Sequence, residues 1–156
     1  MQKITPFLWF DGKAEEAANL YVSLFNSAKI KSVSRWGDGA PAPKGSAMSV
    51  TIEIDGREFI LFNGGSMFKF TEAISMFVNA NTQEEIDHLW EKLSEGGQKS
   101  RCGWLKDKYG VSWQIIPPVL GELLQHKDSA IAKRAMQAML QMDKIDIAAL
   151  KQAAAG

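Results

Sequence analysis

One cysteine, Cys102, and two histidines, His88 and His126, are all that 156 residues provide of the residue types most used for disulfides and metal centres. A single thiol excludes an intramolecular disulfide framework, and two histidines leave little material for an imidazole-based site. Charge of one sign is also missing, because 18 Lys plus Arg balance 18 Asp plus Glu. No net field therefore draws the chain toward nucleic acid or an anionic membrane, and neither is expected as a partner. No apolar run is long enough for a bilayer, and the polar start at residues 1–5 is unlike a signal peptide, so a cytoplasmic protein is expected. What remains is ordinary globular material, 46% hydrophobic and 23% charged with 13 Gly and 5 Pro. Its length fits one domain, residues 1–156, able to bury its own core.

Hydrophobic periodicity orders the chain. The segment Lys3–Phe10 reads as a strand that stops at Asp11-Gly12. Ala14, Ala17, Ala18, Tyr21, Val22 and Phe25 then trace a helical stripe, with Asp11 as its expected cap. Ile30–Trp36 predicts a strand, and Gly37–Gly45, with its two prolines, a loop that could act as a lid. Met48, Val50, Ile52 and Ile54 alternate with polar residues up to Asp55-Gly56, a two-residue hairpin signal ahead of Arg57–Asn63. After an irregular stretch, Ala73–Asn79 predicts a strand. Thr82-Gln83-Glu84-Glu85 is a capping box opening a helix that Gly96-Gly97 ends. Cys102–Lys106 and Val111–Ile116 flank a second hairpin at Asp107–Gly110, and Pro117-Pro118 closes the sheet. From Val119 the pattern is helical, with Asp128 and Asp146 as caps, a Met-rich face at Met136, Met139 and Met142, and an Ala-rich end at Lys151–Gly156 expected to fray.

A strand–helix–strands order thus occurs twice, at residues 1–65 and 73–118, and a helical tail at 119–156 completes the chain. The repetition lies in element order, not in residue identity. It predicts an α+β fold.

Several blocks carry a resemblance. They are Leu8-Trp9-Phe10-Asp11-Gly12 with Glu16-Ala17, Phe62-Asn63-Gly64-Gly65, Ala73-Ile74-Ser75, and Gln83 with Asp87 and Trp90. The longest runs from Cys102-Gly103-Trp104 through Tyr109-Gly110-Val111-Ser112-Trp113-Gln114-Ile115, with Met142–Leu150 in the tail. On these blocks the chain resembles the PhnB-like family of the vicinal-oxygen-chelate superfamily, which also holds glyoxalases, bleomycin-resistance proteins and extradiol dioxygenases. The resemblance implies two βαβββ modules whose curved sheets form a cleft, C-terminal helices, and a homodimer.

In metal-dependent members of the superfamily, ligands come from the first and last strands of each module. That pattern places Thr5, about Asn63, Ala73 and Gln114 at the four positions. None is charged, and the set is poor for a divalent cation, so no metal and no cofactor is expected. Both histidines fall in helical segments. Thr5, Phe7, Trp9, Asn63, Ser75, Phe77, Trp104 and Gln114 are the expected lining of the cleft, aromatic walls with neutral hydrogen-bonding groups suited to an unknown small organic molecule. Trp90 and Trp113 read as core.

Relatives carry a ubiquinone-methyltransferase label. The chain contains neither GxGxxG nor GxxxxGK[ST], and it is not expected to hold S-adenosylmethionine in a doubly wound sheet. The leading expectation is metal-free binding of a small molecule. The alternative is an enzyme of glyoxalase or dioxygenase type acting on a small carbonyl or quinone-like substrate, with Cys102 or Glu53 as its weak catalytic candidates.

Overall fold

The structure, a computed structural model, describes residues 2–156, which divide into two compact units, 2–70 and 71–156. The first holds β1 (Phe7–Phe10), α1 (Ala14–Ser23), β2 (Ala28–Arg35), β3 (Ala47–Ile54) and β4 (Arg57–Asn63). The second holds β5 (Ser75–Asn79), α2 (Gln83–Ser94), β6 (Gln98–Lys99), β7 (Trp104–Lys106), β8 (Ser112–Ile116) and the tail helices α3 (Pro118–Leu124), α4 (Ser129–Met139) and α5 (Ile147–Ala155).

Each unit builds a four-stranded sheet in which the first strand pairs with the fourth in parallel, and the fourth, third and second pair antiparallel in turn. The orders β1-β4-β3-β2 and β5-β8-β7-β6 are the same topology twice. This is the α+β fold expected, with the C-terminal helices in place. The two-residue β6 is too short to carry a periodic pattern.

In the first unit, Leu8, Phe10, Val50, Ile52 and Leu61 are buried on one sheet face, with Ala14, Ala17, Ala18 and Tyr21 of α1 buried as their complement. Small side chains on the helix let it lie close to the strands. The hairpin signal Asp55-Gly56 is realised with φ values of 53° and 79°, two left-handed residues in a row, as a twisted two-residue hairpin requires.

Asp11 does not cap α1. The N-terminal residue Lys13 makes no side-chain cap, and the Ala14 N–H instead donates to Asn63 Oδ1 at 2.9 Å. A partner 49 residues away in sequence leaves no local signal, and Asp11 mimics one.

The second unit packs Trp113, Ile115, Leu105, Ile86, Leu89, Trp90 and Leu93 in its core. The capping box works as read, with Thr82 Oγ1 accepting from the Glu85 N–H at 3.1 Å. β7 starts at Trp104 rather than Cys102, because Cys102 and Gly103 are left-handed at φ 57° and 85° and form a turn. Their amides donate to Met142 O and Asp143 O at 2.8 and 2.7 Å, tying the tail to the sheet. Gln83 adds a second tie. Its Nε2 donates to Asp87 Oδ1 and to Ile145 O, and its Oε1 accepts from the Ile147 N–H at 2.8 Å. Lys144 pairs with Asp87 at 2.9 Å. The Asp87 carboxyl is held below its ordinary range by the Gln83 amide first and by Lys144 second.

Ile116, Leu120, Ile145 and Leu150 form the tail's core, with Met139 and Met142 packed against it. The Ala-rich end, expected to fray, is helical. α5 continues to Ala155, and the Arg134 guanidinium donates to Ala153 O and Ala154 O, satisfying carbonyls that a helix end leaves open. None of the described helices is long and apolar enough to cross a membrane.

Candidate functional site: an aromatic cleft in the first unit

Residues paired across a sheet share a face. Phe7 pairs with Ile60, Trp9 with Phe62, and Phe62 with Ser49. The face opposite α1 therefore carries Phe7, Trp9, Ile60 and Phe62 together. Phe62 is its hub, with ring centroids 5.2 Å from Phe7, 5.3 Å from Trp9 and 6.4 Å from Trp36. Trp9 also meets Phe68 edge-on at 4.9 Å. Its indole Nε1 donates to Gly65 O at 2.9 Å, and the ring lies so close over Gly64 that an added Cβ there would fall 2.2 Å from it. The Gly64-Gly65 turn thus serves as a seat for an indole.

At the Trp36 end of this face lies a cleft of about 670 Å³. Trp36 and Phe62 supply its rings, Pro41 and Pro43 part of its rim, and Asp11, Glu15 and Arg35 its charges. The rim loop is closed at its base by paired backbone bonds, Trp36 N to Ser46 O and Gly45 N to Trp36 O, both 2.9 Å. Arg35 braces it. The guanidinium meets both Glu15 oxygens, at 2.9 and 3.3 Å, and also donates to Gly45 O at 3.3 Å. The hydrogen bond to Glu15, then its charge, raises the Arg35 pKa above its ordinary value.

The predicted residues distribute unevenly around this cleft. Phe7 and Trp9 lie on the aromatic sheet face beside Phe62, with Phe7 57% exposed, but neither lines the cleft. Asn63 reaches the cleft wall, but it is out of phase with Phe62, and both ends of its amide are engaged: Oδ1 accepts from Ala14 and Nδ2 donates to Ala47 O at 3.0 Å. Thr5 precedes β1 and accepts a long bond from Gln2 Nε2 at 3.4 Å. Glu53 sits at the hairpin end of β3, roughly 20 Å along the strand from Ala47 at the cleft. There Lys31 bridges it and Glu58 at 3.6 and 3.0 Å.

In the second unit, Ser75, Phe77, Trp104 and Gln114 do share one face by register. Gln114 Nε2 donates to Ser75 Oγ at 3.0 Å. Beside them a smaller hollow of about 200 Å³ is lined by Trp104, Ser112 and the Glu72–Lys106 pair, whose hydrogen bond and charge lower the Glu72 pKa. Ser112 is 1% exposed and its hydroxyl has no partner. Cys102 lies elsewhere, its Sγ–H donating to Met139 O at 3.5 Å. The two cations nearest in sequence are engaged, Arg101 with Asp143 and Leu140 O and Lys99 with Glu91.

Thr5, Asn63, Ala73 and Gln114 do not fit a divalent metal. Ala73 has no donor atom, Asn63 and Gln114 are engaged within their own units, and none brings negative charge. No group of three or more His, Cys, Asp or Glu side chains converges among the described residues. His126 Nδ1 accepts from the Asp128 N–H, and His88 is exposed on α2.

Trp36, Phe62, Arg35 and Glu15 were not among the lining residues expected from the sequence. The available signals were the even spacing of Phe62 from Ile60 on β4 and the position of Trp36 immediately before a loop with two prolines.

Comparison with known proteins gives this geometry a family. The model of the family described as 3-demethylubiquinone-9 3-methyltransferase matches residues 2–116. A solved PhnB protein from Bacillus cereus is 41% identical, with a TM-score of 0.70, over 74% of this chain and 99% of that one. The chain belongs to the PhnB-like family. This PhnB-like protein also shares its fold with a Pseudomonas aeruginosa protein at 21% identity and TM-score 0.61, over 74% of this chain and 96% of that one. A mutant of the fosfomycin resistance protein FosX from Listeria monocytogenes, complexed with Mn(II) and a dihydroxypropylphosphonic acid, matches at 15% identity and TM-score 0.56, over 80% of this chain and all of that one. At these identities the likenesses are of fold alone. No curated protein matches it.

Proposed function

We propose that this PhnB-like protein binds a small organic molecule, without a metal, in the aromatic cleft of its first unit. The observation that carries the reading is the cleft itself. About 670 Å³ bounded by Trp36, Phe62 and two prolines falls in the roughly 300–1,000 Å³ range of small-molecule sites, with apolar walls and a few placed polar groups. Half-buried rings that bring no charge of their own favour a planar or partly apolar ligand.

The methyltransferase description of the family model fits this chain poorly. An S-adenosylmethionine site of the doubly wound kind needs a glycine-rich loop after a parallel strand. Here the glycine pair after β4, a strand parallel to β1, is occupied by the Trp9 indole. The glyoxalase-type or dioxygenase-type alternative gains nothing from Cys102 or Glu53, neither of which lines the cleft.

Native mass spectrometry of freshly purified protein, repeated on Trp36→Ala, tests the reading. A bound organic mass lost in the variant is expected. An unliganded protein whose melting temperature no aromatic compound raises would overturn it, and a stoichiometric metal would move the enzyme reading forward.

A further inference from the structure

The charges around the first-unit cleft are unequal in what they leave free. We infer that its ligand is an aromatic organic cation, with the positive group at Asp11 and the ring against Trp36 and Phe62. This rests on the small-molecule reading and narrows it.

Three charged side chains line the cleft, Asp11, Glu15 and Arg35. Arg35 is spent. Both of its terminal nitrogens meet Glu15, and one also meets the Gly45 carbonyl. An anionic ligand would have to compete with a carboxylate already held in two-point contact. Asp11 has no such commitment, because its side chain makes no ion pair or hydrogen bond among the described residues. Lys13, two residues on, is paired with Glu16, and Lys44 of the rim loop with Asp38. The positive end of α1 does not reverse this balance, since the Ala14 amide is taken by Asn63, and Glu15 and Glu16 occupy the first turn. One uncompensated negative charge remains in a cleft walled by two ring systems. Ring faces attract cations and carboxylates pair with them, so the two features select the same ligand class.

Exposure sets the size of the preference. Asp11 is exposed, and exposed ion pairs and cation–π contacts are each worth about a few-fold in affinity. A cation should be favoured about tenfold over a neutral molecule of the same shape, and Asp11→Asn should remove about threefold of that.

The test uses three probes of similar shape, benzylammonium, benzyl alcohol and benzoate, titrated into the full chain while the tryptophan indole N–H signals are monitored by NMR. The expected order is benzylammonium tightest and benzoate weakest, with the gap narrowed in Asp11→Asn and all three lost in Trp36→Ala. Equal binding of the cation and the alcohol, or an unchanged gap in Asp11→Asn, would overturn the charge assignment and leave the cleft reading standing. Failure of all three probes to shift Trp36 would instead count against the cleft as a site for aromatic ligands.

Discussion

Replacing Asn63 with alanine separates a structural amide from a ligand-binding one. Its Oδ1 is the partner of the Ala14 N–H at the start of α1, and its Nδ2 holds Ala47 O at the start of β3. Ala14 is fully buried and Ala47 is 8% exposed, so water has poor access to either group once the amide is gone. Losing a helix cap costs about 1 kcal/mol, and stranding a buried acceptor about 1–3 kcal/mol. The total is roughly 2–4 kcal/mol, which for a chain of this size lowers the melting temperature by roughly 5–15 °C. Asn63→Asp keeps the acceptor for Ala14 and loses the donor for Ala47, so about half of the loss should return. Urea unfolding gives the energies, and hydrogen exchange at the Ala14 amide reports the cap directly, with faster exchange in Asn63→Ala only. Stability within about 0.5 kcal/mol of the parent, or unchanged Ala14 exchange, would refute the reasoning. Should ligand affinity fall while stability holds, Asn63 would be a binding group.

Other contacts support three more predictions. Gly64→Ala forces a Cβ into the Trp9 ring, and should break the Trp9–Gly65 bond at a cost of about 1–3 kcal/mol, visible as a red-shifted tryptophan emission; an unchanged spectrum and midpoint would show that the ring can move aside freely. Ser112→Ala removes a buried hydroxyl that has no partner, and should leave stability unchanged or raise it by up to about 1 kcal/mol; a clear loss in urea unfolding would mean that the hydroxyl is bonded. The Asp87 carboxyl has a depressed pKa in the folded protein, so the stabilisation it gives is present above its unfolded value near 3.9 and disappears as pH falls through the lower folded value. Exchange at the Ile147 amide should accordingly be insensitive to this group between about pH 7 and 5, accelerate in stronger acid, and lose that extra acceleration in Asp87→Asn. Loosening already near neutrality would point to another group.

What the sequence disclosed and what it hid divide along the range of the interactions. The Asp55-Gly56 hairpin, the Thr82 capping box and the caps at Asp128 and Asp146 depend on residues within a few positions of one another, and each was legible. The repeated strand–helix–strands element order was legible too, through hydrophobic periodicity and the family resemblance. The cap of α1 was not, since it comes from Asn63 across the unit. Phase on a strand decided the site residues. Phe7 and Trp9 alternate onto the aromatic face without lining the cleft, whereas Asn63, one residue out of step with Phe62, reaches the cleft wall. Trp36, Arg35 and Glu15 are joined only when the Gly37–Gly45 loop folds back beside α1, a contact with no periodic signature.

The tie between the tail and the Cys102-Gly103 turn bears on how such chains can be lengthened or shortened. The family match ends at Ile116, yet residues inside it are shaped to receive the helices beyond it. The amides of Cys102 and Gly103 point at carbonyls of Met142 and Asp143, Gln83 Oε1 serves Ile147, and a side chain at Gly103 would strike Ile116 and crowd Ile145. Cutting after residue 116 would therefore do more than trim a surface appendage: it would strip the partners from the Cys102 and Gly103 amides, the Cys102 thiol, Gln83 Oε1 and the Arg101 guanidinium, and bare Ile116 to water. A hybrid that joins this tail to a shorter relative must carry Gln83, Cys102 and Gly103 with it, because the seam between body and tail runs through those side chains and amides and not through the peptide bond where the match stops.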